Sequence, residues 1–198
     1  MKRTLQAIGV AAVAITLSTT GWVLASASAA VVDGTGAADD LVGTNSDDQF
    51  RGFAGADSIT GMDGNDSGDA GNDADVVNGN RGNDTFHGGL GADTMRGQDG
   101  DDHLYGDRGN DTLDGGREAD SLNGGVSSDR LLGGDSSDKL TPGSGADKAE
   151  GGTGGDTFYV AVDGDSDRIV GGDGDDTAVL AGGHKDPKDV YIGVENFA

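Results

Sequence analysis

"GQDGDDHLYGDRGNDTLDGG", residues 97–116, sets glycine beside aspartate twice over at a fixed spacing. Gly100 and Gly109, Asp102 and Asp111, and Leu104 and Leu113 are each nine residues apart. Carboxylates packed this densely repel one another. Glycines packed this densely are costly to order, because each has the most backbone freedom to lose. Both penalties recur in register, so the register must carry what offsets them.

Cut in nines from Gly34, the chain stays in phase through Tyr159 without an insertion. Val160 and Ala161 then break the phase, and two further rows begin at Val162 and Gly171. Position six is Asp in every row, from Asp39 and Asp48 to Asp156, Asp167 and Asp176. Position one of the uninterrupted rows is Gly except at Ala70 and Pro142. Position eight is Leu, Ile, Val, Phe or Met except at Gly68, Ala149 and Ala178. A low-complexity disordered chain would mix these residue types without holding their phase, so the pattern predicts a stacked repeat. Positions one to six read as a glycine-rich turn, where Gly supplies positive φ and lets carbonyls converge without Cβ interference. Positions seven to nine read as a three-residue strand with one inward side chain. Nine residues are too few for a helical repeat, and each interior Gly opposes a helix by about 1 kcal/mol.

Composition narrows the partner. The chain of 198 residues carries 36 acidic residues against 13 Lys and Arg, a net charge of −23. Nothing here could neutralise phosphates, so nucleic acid is excluded as a partner and cations are required. Cys is absent, which removes disulfides and thiolate metal sites. Calcium takes six to eight oxygen ligands from carboxylates and carbonyls, which position six and the Gly-rich turn both supply. Magnesium demands near-octahedral geometry and holds its waters. Zinc wants His or Cys, yet His87, His103 and His184 share no position in the repeat and read as solvated surface residues.

The rows resemble the hemolysin-type calcium-binding nonapeptide of RTX proteins, G-G-x-G-x-D-x-U-x. "GGLGADTMR" (88–96) and "GGTGGDTFY" (151–159) match at every defined position, and the resemblance covers about 34–179. It implies an all-β fold, a right-handed parallel β-roll in which two rows make one coil. Two small sheets would face each other across the eighth residues. Several Ca2+ ions would sit between turns two rows apart, held by Asp carboxylates and turn carbonyls. One edge then holds Asp39, Asp57, Asp75, Asp93, Asp111, Asp129 and Asp147; the other holds Asp48, Asp66, Asp84, Asp102, Asp120, Asp138 and Asp156. The best-matched ligand pairs are Asp93 with Asp111, Asp66 with Asp84, and Asp84 with Asp102, whose turns have Gly64, Gly82, Gly91, Gly100 and Gly109 at position four. Asp57, Asp75 and Asp156 are further metal candidates. Asp73, Glu118, Ser127 and Ser136 depart from Gly at position four, and a Cβ there is strained wherever the turn needs positive φ.

Residues 1–29 are a different material. Lys2 and Arg3 precede an apolar run from Ala7 to Leu17, and small residues follow at Ala25-Ser26-Ala27 and Ala27-Ser28-Ala29. This layout predicts a cleaved secretory signal peptide, a secreted, extracellular product and no membrane contact after cleavage. Loss of Lys2 and Arg3 leaves 11 basic residues against the 36 acidic ones, a charge of −25. Beyond the repeat segment 34–179, residues 180–198 alternate around Val190, Ile192 and Val194 and predict one or two strands capping the open end.

The residues predict no enzyme. Neither His-Glu-x-x-His nor Gly-x-Ser-x-Gly occurs. "DGDSDR" (163–168) opens like an EF-hand loop but puts Arg168 where the sharp-turn Gly belongs. Outward position seven reads Asp40, Gln49, Ser58, Ser67, Val76, Thr85, which is not the Thr ladder of an ice-binding helix. The sequence therefore predicts a secreted calcium-binding protein that folds on binding its ions. The alternative is a calcium-stiffened structural or adhesive protein with an unidentified cell-surface partner.

Overall fold

The computed structural model describes residues 3–6 and 29–198. The apolar run of the expected leader, its small-residue cleavage region up to Ser28 and Trp22 lie outside the described residues. The chain winds into an all-β parallel solenoid of two ten-stranded sheets. One sheet, in spatial order, is Arg3–Gln6, Asp39–Val42, Ser58–Asp63, Val76–Arg81, Thr94–Asp99, Thr112–Arg117, Arg130–Asp135, Lys148–Thr153, Arg168–Asp173 and Val190–Ile192. The other is Val31–Asp33, Gln49–Arg51, Ser67–Asn72, Thr85–Leu90, His103–Arg108, Ser121–Val126, Lys139–Ser144, Thr157–Val160, Thr177–Leu180 and Asn196–Phe197. Successive strands alternate between the sheets, so each strand pairs with the one two rows away, as Phe86 with Leu104 and Leu104 with Leu122. No helix of the described residues is long and apolar enough to cross a membrane.

Most of the strands are longer than the three residues the sequence predicts; Val31–Asp33, Gln49–Arg51 and Val190–Ile192 have three and Asn196–Phe197 two. A typical one, Ser121–Val126, takes positions seven to nine of one row and one to three of the next. The turn proper shrinks to positions four to six. Two positions per strand therefore face inward: the eighth, occupied by Leu122, and the first, occupied by Gly124. Position-one glycines such as Gly106 and Gly124 have ordinary strand φ, so they are not there for the turn conformation the sequence suggested. They are there for space, as the carboxylates below make clear.

The core is one column of side chains per sheet. Leu41, Ile59, Val77, Met95, Leu113, Leu131 and Ile169 stack in the first sheet; Phe50, Phe86, Leu104, Leu122, Leu140 and Phe158 stack in the second, all fully buried. Gly68 interrupts the second column for a packing reason. Phe50 and Phe86 flank it with ring centroids 6.0 Å apart. A Cβ on Gly68 would lie 2.7 Å from Phe50 Cβ and 3.1 Å from Phe86 Cε1. Two large rings share the space of three residues.

Of the two-residue break at Val160-Ala161, Val160 stays in the ladder opposite Leu180, and the extra length falls in the turn between Val160 and Arg168. Pairing resumes as Ala149 with Ile169 and Phe158 with Ala178, with the eighth-position side chains still inward. A shift of a single residue within a strand would have turned every side chain to the other face.

Candidate metal centre: two columns of buried aspartate

The position-six aspartates line both edges of the solenoid, and every one from Asp39 to Asp176 is at most 3% exposed. The resemblance grouped Asp57, Asp75, Asp93 and Asp111 on one edge and Asp66, Asp84, Asp102 and Asp156 on the other, and each group does form one hydrogen-bonded column. The link is always the same. The backbone N–H of one aspartate donates to Oδ1 of the next in its column: Asp57 to Asp75 at 2.7 Å, Asp75 to Asp93 and Asp93 to Asp111 at 2.8 Å. On the opposite edge Asp66 donates to Asp84 at 2.7 Å, Asp84 to Asp102 at 2.8 Å and Asp156 to Asp176 at 2.8 Å. The aspartate carbonyls in turn accept strand N–H groups, as Asp84 O does from His103.

Only one carboxylate oxygen is satisfied this way. Oδ2 of Asp66, Asp75, Asp84, Asp93, Asp102, Asp111, Asp120, Asp129, Asp138, Asp147, Asp156, Asp167 and Asp176 is buried and has no hydrogen-bond donor. An isolated ionised carboxylate in such surroundings is strongly unfavourable, so it must meet a cation or take up a proton. The space around Oδ2 is shaped by position one. A Cβ added to Gly106 would lie 2.5 Å from Asp111 Oδ2 and 2.6 Å from Gly124 O. At Gly88 the corresponding separations are 2.5 Å to Asp93 Oδ2 and 3.0 Å to Gly106 O. A carboxylate oxygen and a carbonyl oxygen thus converge on a point that glycine leaves open at these turns.

The electrostatics lead the same way. Burial pushes the carboxyls of Asp66, Asp75, Asp84, Asp102, Asp129, Asp138 and Asp167 up to about 7, against the hydrogen bond from the neighbouring backbone N–H. Asp120 rises to about 8, and Asp111 and Asp147 to about 6, from the same cause. Neighbouring carboxylates add to the rise, Asp84 and Asp48 acting on Asp66. These are oxygen donors carrying negative charge, without nitrogen or sulfur, and such a set suits a hard cation of calcium's size. Among the described residues, no three His, Cys, Asp or Glu side chains form a metal cluster by themselves. Backbone carbonyls must complete any coordination shell, as the Gly-rich turn predicts.

The position-four glycines sit at the turn apices in the left-handed region, from φ 113° at Gly82 through 127° at Gly64, 131° at Gly100 and 139° at Gly109 to 147° at Gly91. Of the positions where the sequence departs from Gly, Ala37, Ser46 and Asp165 do not have positive φ. At four others the backbone keeps the same sign: φ is 78° at Asp73, 65° at Glu118, 90° at Ser127 and 82° at Ser136. The turns form there at the expense of local strain. Position two was not singled out from sequence, yet it also has positive φ, borne by non-glycine residues at Phe53, Met62, Asn80, Gln98 and Asp107.

Two ladder residues were missed altogether. Asp167 N–H donates to Asp189 Oδ1 at 3.0 Å, and Asp176 N–H donates to Glu195 Oε2 at 2.9 Å. "HKDPKDVYI" (184–192) is therefore one more row, with Asp189 at position six and Tyr191 at position eight. Its phase is the signal that could have revealed it; the missing glycines hid it. Glu195 extends the other column with a longer side chain. The histidines stay outside both columns. His87 is exposed, with Nδ1 2.9 Å from Asp107 Oδ2 and its ring stacked on Tyr105, and His103 and His184 are exposed as well.

Stacked Gly and Asp turns, oxygen donors and a parallel β-roll define a calcium-binding repeat protein. A family model, the RTX calcium-binding nonapeptide repeat, matches residues 33–67, 60–95, 68–104, 87–122, 114–149, 123–158 and 162–184. The chain belongs to that family, whose repeats are structural calcium-binding elements. A search of curated proteins found no match.

Proposed function

We propose that this protein is exported without bound metal and folds outside the cell as calcium fills the two aspartate columns. The observation that carries the reading is the row of buried Oδ2 atoms without hydrogen-bond donors, from Asp66 to Asp176. Asp57, Asp66, Asp75, Asp84, Asp93, Asp102, Asp111 and Asp156 are the proposed carboxylate ligands. The turns of Gly64, Gly82, Gly91, Gly100 and Gly109 are the proposed source of carbonyls. Bound calcium supplies the positive charge that lets these carboxylates stay ionised while buried. The chain's own contribution is to fix Oδ1 with a backbone N–H, aim Oδ2 at the glycine-lined gap and exclude water with the flanking strands. Without the ion, the core of about one apolar side chain per row cannot offset backbone ordering at about 1–2 kcal/mol per residue. Site binding energy then becomes folding energy. The proposed role is binding and folding, not catalysis.

The test is circular dichroism of residues 30–198 titrated with calcium, with bound metal counted at saturation. The reading expects a disordered chain in chelator and a cooperative gain of strand with several ions bound. A chain that melts sharply in chelator and gains nothing from calcium would overturn it.

A further inference from the structure

The last coil carries its own cation. Along the edge of Asp111, Asp129, Asp147 and Asp167, position five holds small or neutral side chains: Ala74, Ala92, Asn110, Ser128, Ala146 and Ser166. In the final row the same position is Lys188. Its ammonium reaches back one full coil and donates to the carbonyl oxygen of Gly164. That contact spans two turns that are two rows apart on one edge, the same step across which the proposed calcium ions bridge.

The final turn also cannot take the regular shape. Position four has positive φ at Gly91, Gly109, Ser127 and Gly145 on this edge. The final row has Pro187 there, whose ring fixes φ near −65°. A different set of contacts holds the turn. Asp186 is 4% exposed, accepting from Gly164 N–H at 2.9 Å through Oδ2 and from Lys188 N–H at 3.0 Å through Oδ1. Ser166 Oγ–H donates to Lys188 O at 2.9 Å. The row still delivers Asp189 to the column, 3.0 Å from Asp167 N–H. Negative charge therefore accumulates at this end from Asp163, Asp165, Asp167, Asp186 and Asp189, around a turn that departs from the regular shape.

We infer that the Lys188 ammonium replaces calcium in the gap between rows 162–170 and 184–192, ending the metal column on this edge with a covalently tethered charge. The inference rests on the calcium reading proposed above and goes beyond it in assigning one inter-turn gap to a side chain. The end coil then stays docked when the outermost position would otherwise lose its ion to solvent.

The experiment uses residues 30–198 and two variants. Lys188→Gln keeps a donor of similar reach but removes the charge; Lys188→Arg keeps the charge. Bound calcium is counted by native mass spectrometry, and amide exchange is followed at Val190–Ile192 in saturating calcium. The arginine variant is expected to match the native chain in both. The glutamine variant is expected either to bind one additional calcium or to exchange about tenfold faster at those amides, since a hydrogen bond to a charged group is stronger than a neutral one. Native calcium count together with native exchange in Lys188→Gln would overturn the inference. Calcium-driven folding of the native chain is the separate control: its failure would refute the calcium reading, whereas its success with an indifferent Lys188→Gln would refute only the role of Lys188.

Discussion

The backbone N–H of Asp84 donates to Oδ1 of Asp102 across 2.8 Å, tying each coil to the next by a carboxylate whose other oxygen has no donor. One side chain thus does two jobs, a structural hydrogen bond through Oδ1 and an open charge at Oδ2, and substitutions can separate them.

Asp102→Asn retains an acceptor for Asp84 N–H and removes the buried charge. It should stabilise the calcium-free roll and weaken its dependence on calcium. Asp102→Ala loses both functions and should raise the calcium needed for folding, with the unpartnered Asp84 N–H adding about 1–3 kcal/mol. Calcium titrations of the two variants by circular dichroism check the split. Equal shifts in the same direction would show that the charge at Oδ2 plays no part.

Acid should partly replace calcium. In chelator, burial holds the carboxyls of Asp84 and Asp102 up at about 7 when folded, against about 3.9 when unfolded. A raised folded value means that protonation favours the roll: the stabilisation is full below about pH 4 and is lost as pH rises through about 7. Strand content in chelator should therefore grow from pH 8 to pH 5, and the calcium needed to fold the chain should rise as pH rises across that range. Strand content independent of pH in chelator would contradict this.

Gly106→Ala should be severe. Its Cβ would press on Asp111 Oδ2 at 2.5 Å and on Gly124 O at 2.6 Å, and neither can retreat without breaking a column or a strand. We expect a loss of about 2–4 kcal/mol, within the range of a steric clash combined with disruption of a buried network. Denaturant melts in saturating calcium measure it.

Ser127→Gly should act in the opposite sense. Ser127 holds φ 90°, a conformation that costs a non-glycine residue about 1–3 kcal/mol. Glycine relieves the strain while adding unfolded-state freedom, so a net gain of about 1 kcal/mol and a lower calcium midpoint are expected. The sequence-based contrast between Asp102 and Asp129 follows from the same strain: Asp129→Ala should raise the calcium midpoint less than Asp102→Ala, although both carboxylates accept a 2.8 Å hydrogen bond.

The proposed export makes a simple mass prediction. The secreted chain should begin near Ser28 or Ala30 and lack Trp22, so its fluorescence should come from tyrosine alone. Intact-mass measurement of culture supernatant checks it, and a secreted chain that retains Met1 would refute the cleavage.

The period was legible because Asp, Gly and apolar residues each hold one phase; the sheet pairing and the two columns followed from the family resemblance, which makes two rows one coil. What the sequence hid was the reason for each glycine. Gly106 and Gly100 look alike as letters, yet the first needs space beside Asp111 Oδ2 and the second needs φ 131°. Gly68 stands in the sequence only as an exception to the apolar eighth position, and the structure shows it to be room for Phe50 and Phe86. Asp189 was concealed because its row has no glycine, and Glu195 because it is not Asp and follows Gly193 by only two residues, while backbone pairing to Arg168–Asp173 and Thr177–Leu180 kept them in place.

Strands pair only with those one coil away, and the wider turn after Val160 leaves that pairing intact. Length is then a free variable for evolution. Duplicating Gly88–Tyr105 in frame would insert one coil, bring its own carboxylates Asp93 and Asp102 and its own core residues Met95 and Leu104, and leave both ends unaware of the change. Such a chain can grow or shrink by unequal recombination without passing through an unfoldable intermediate.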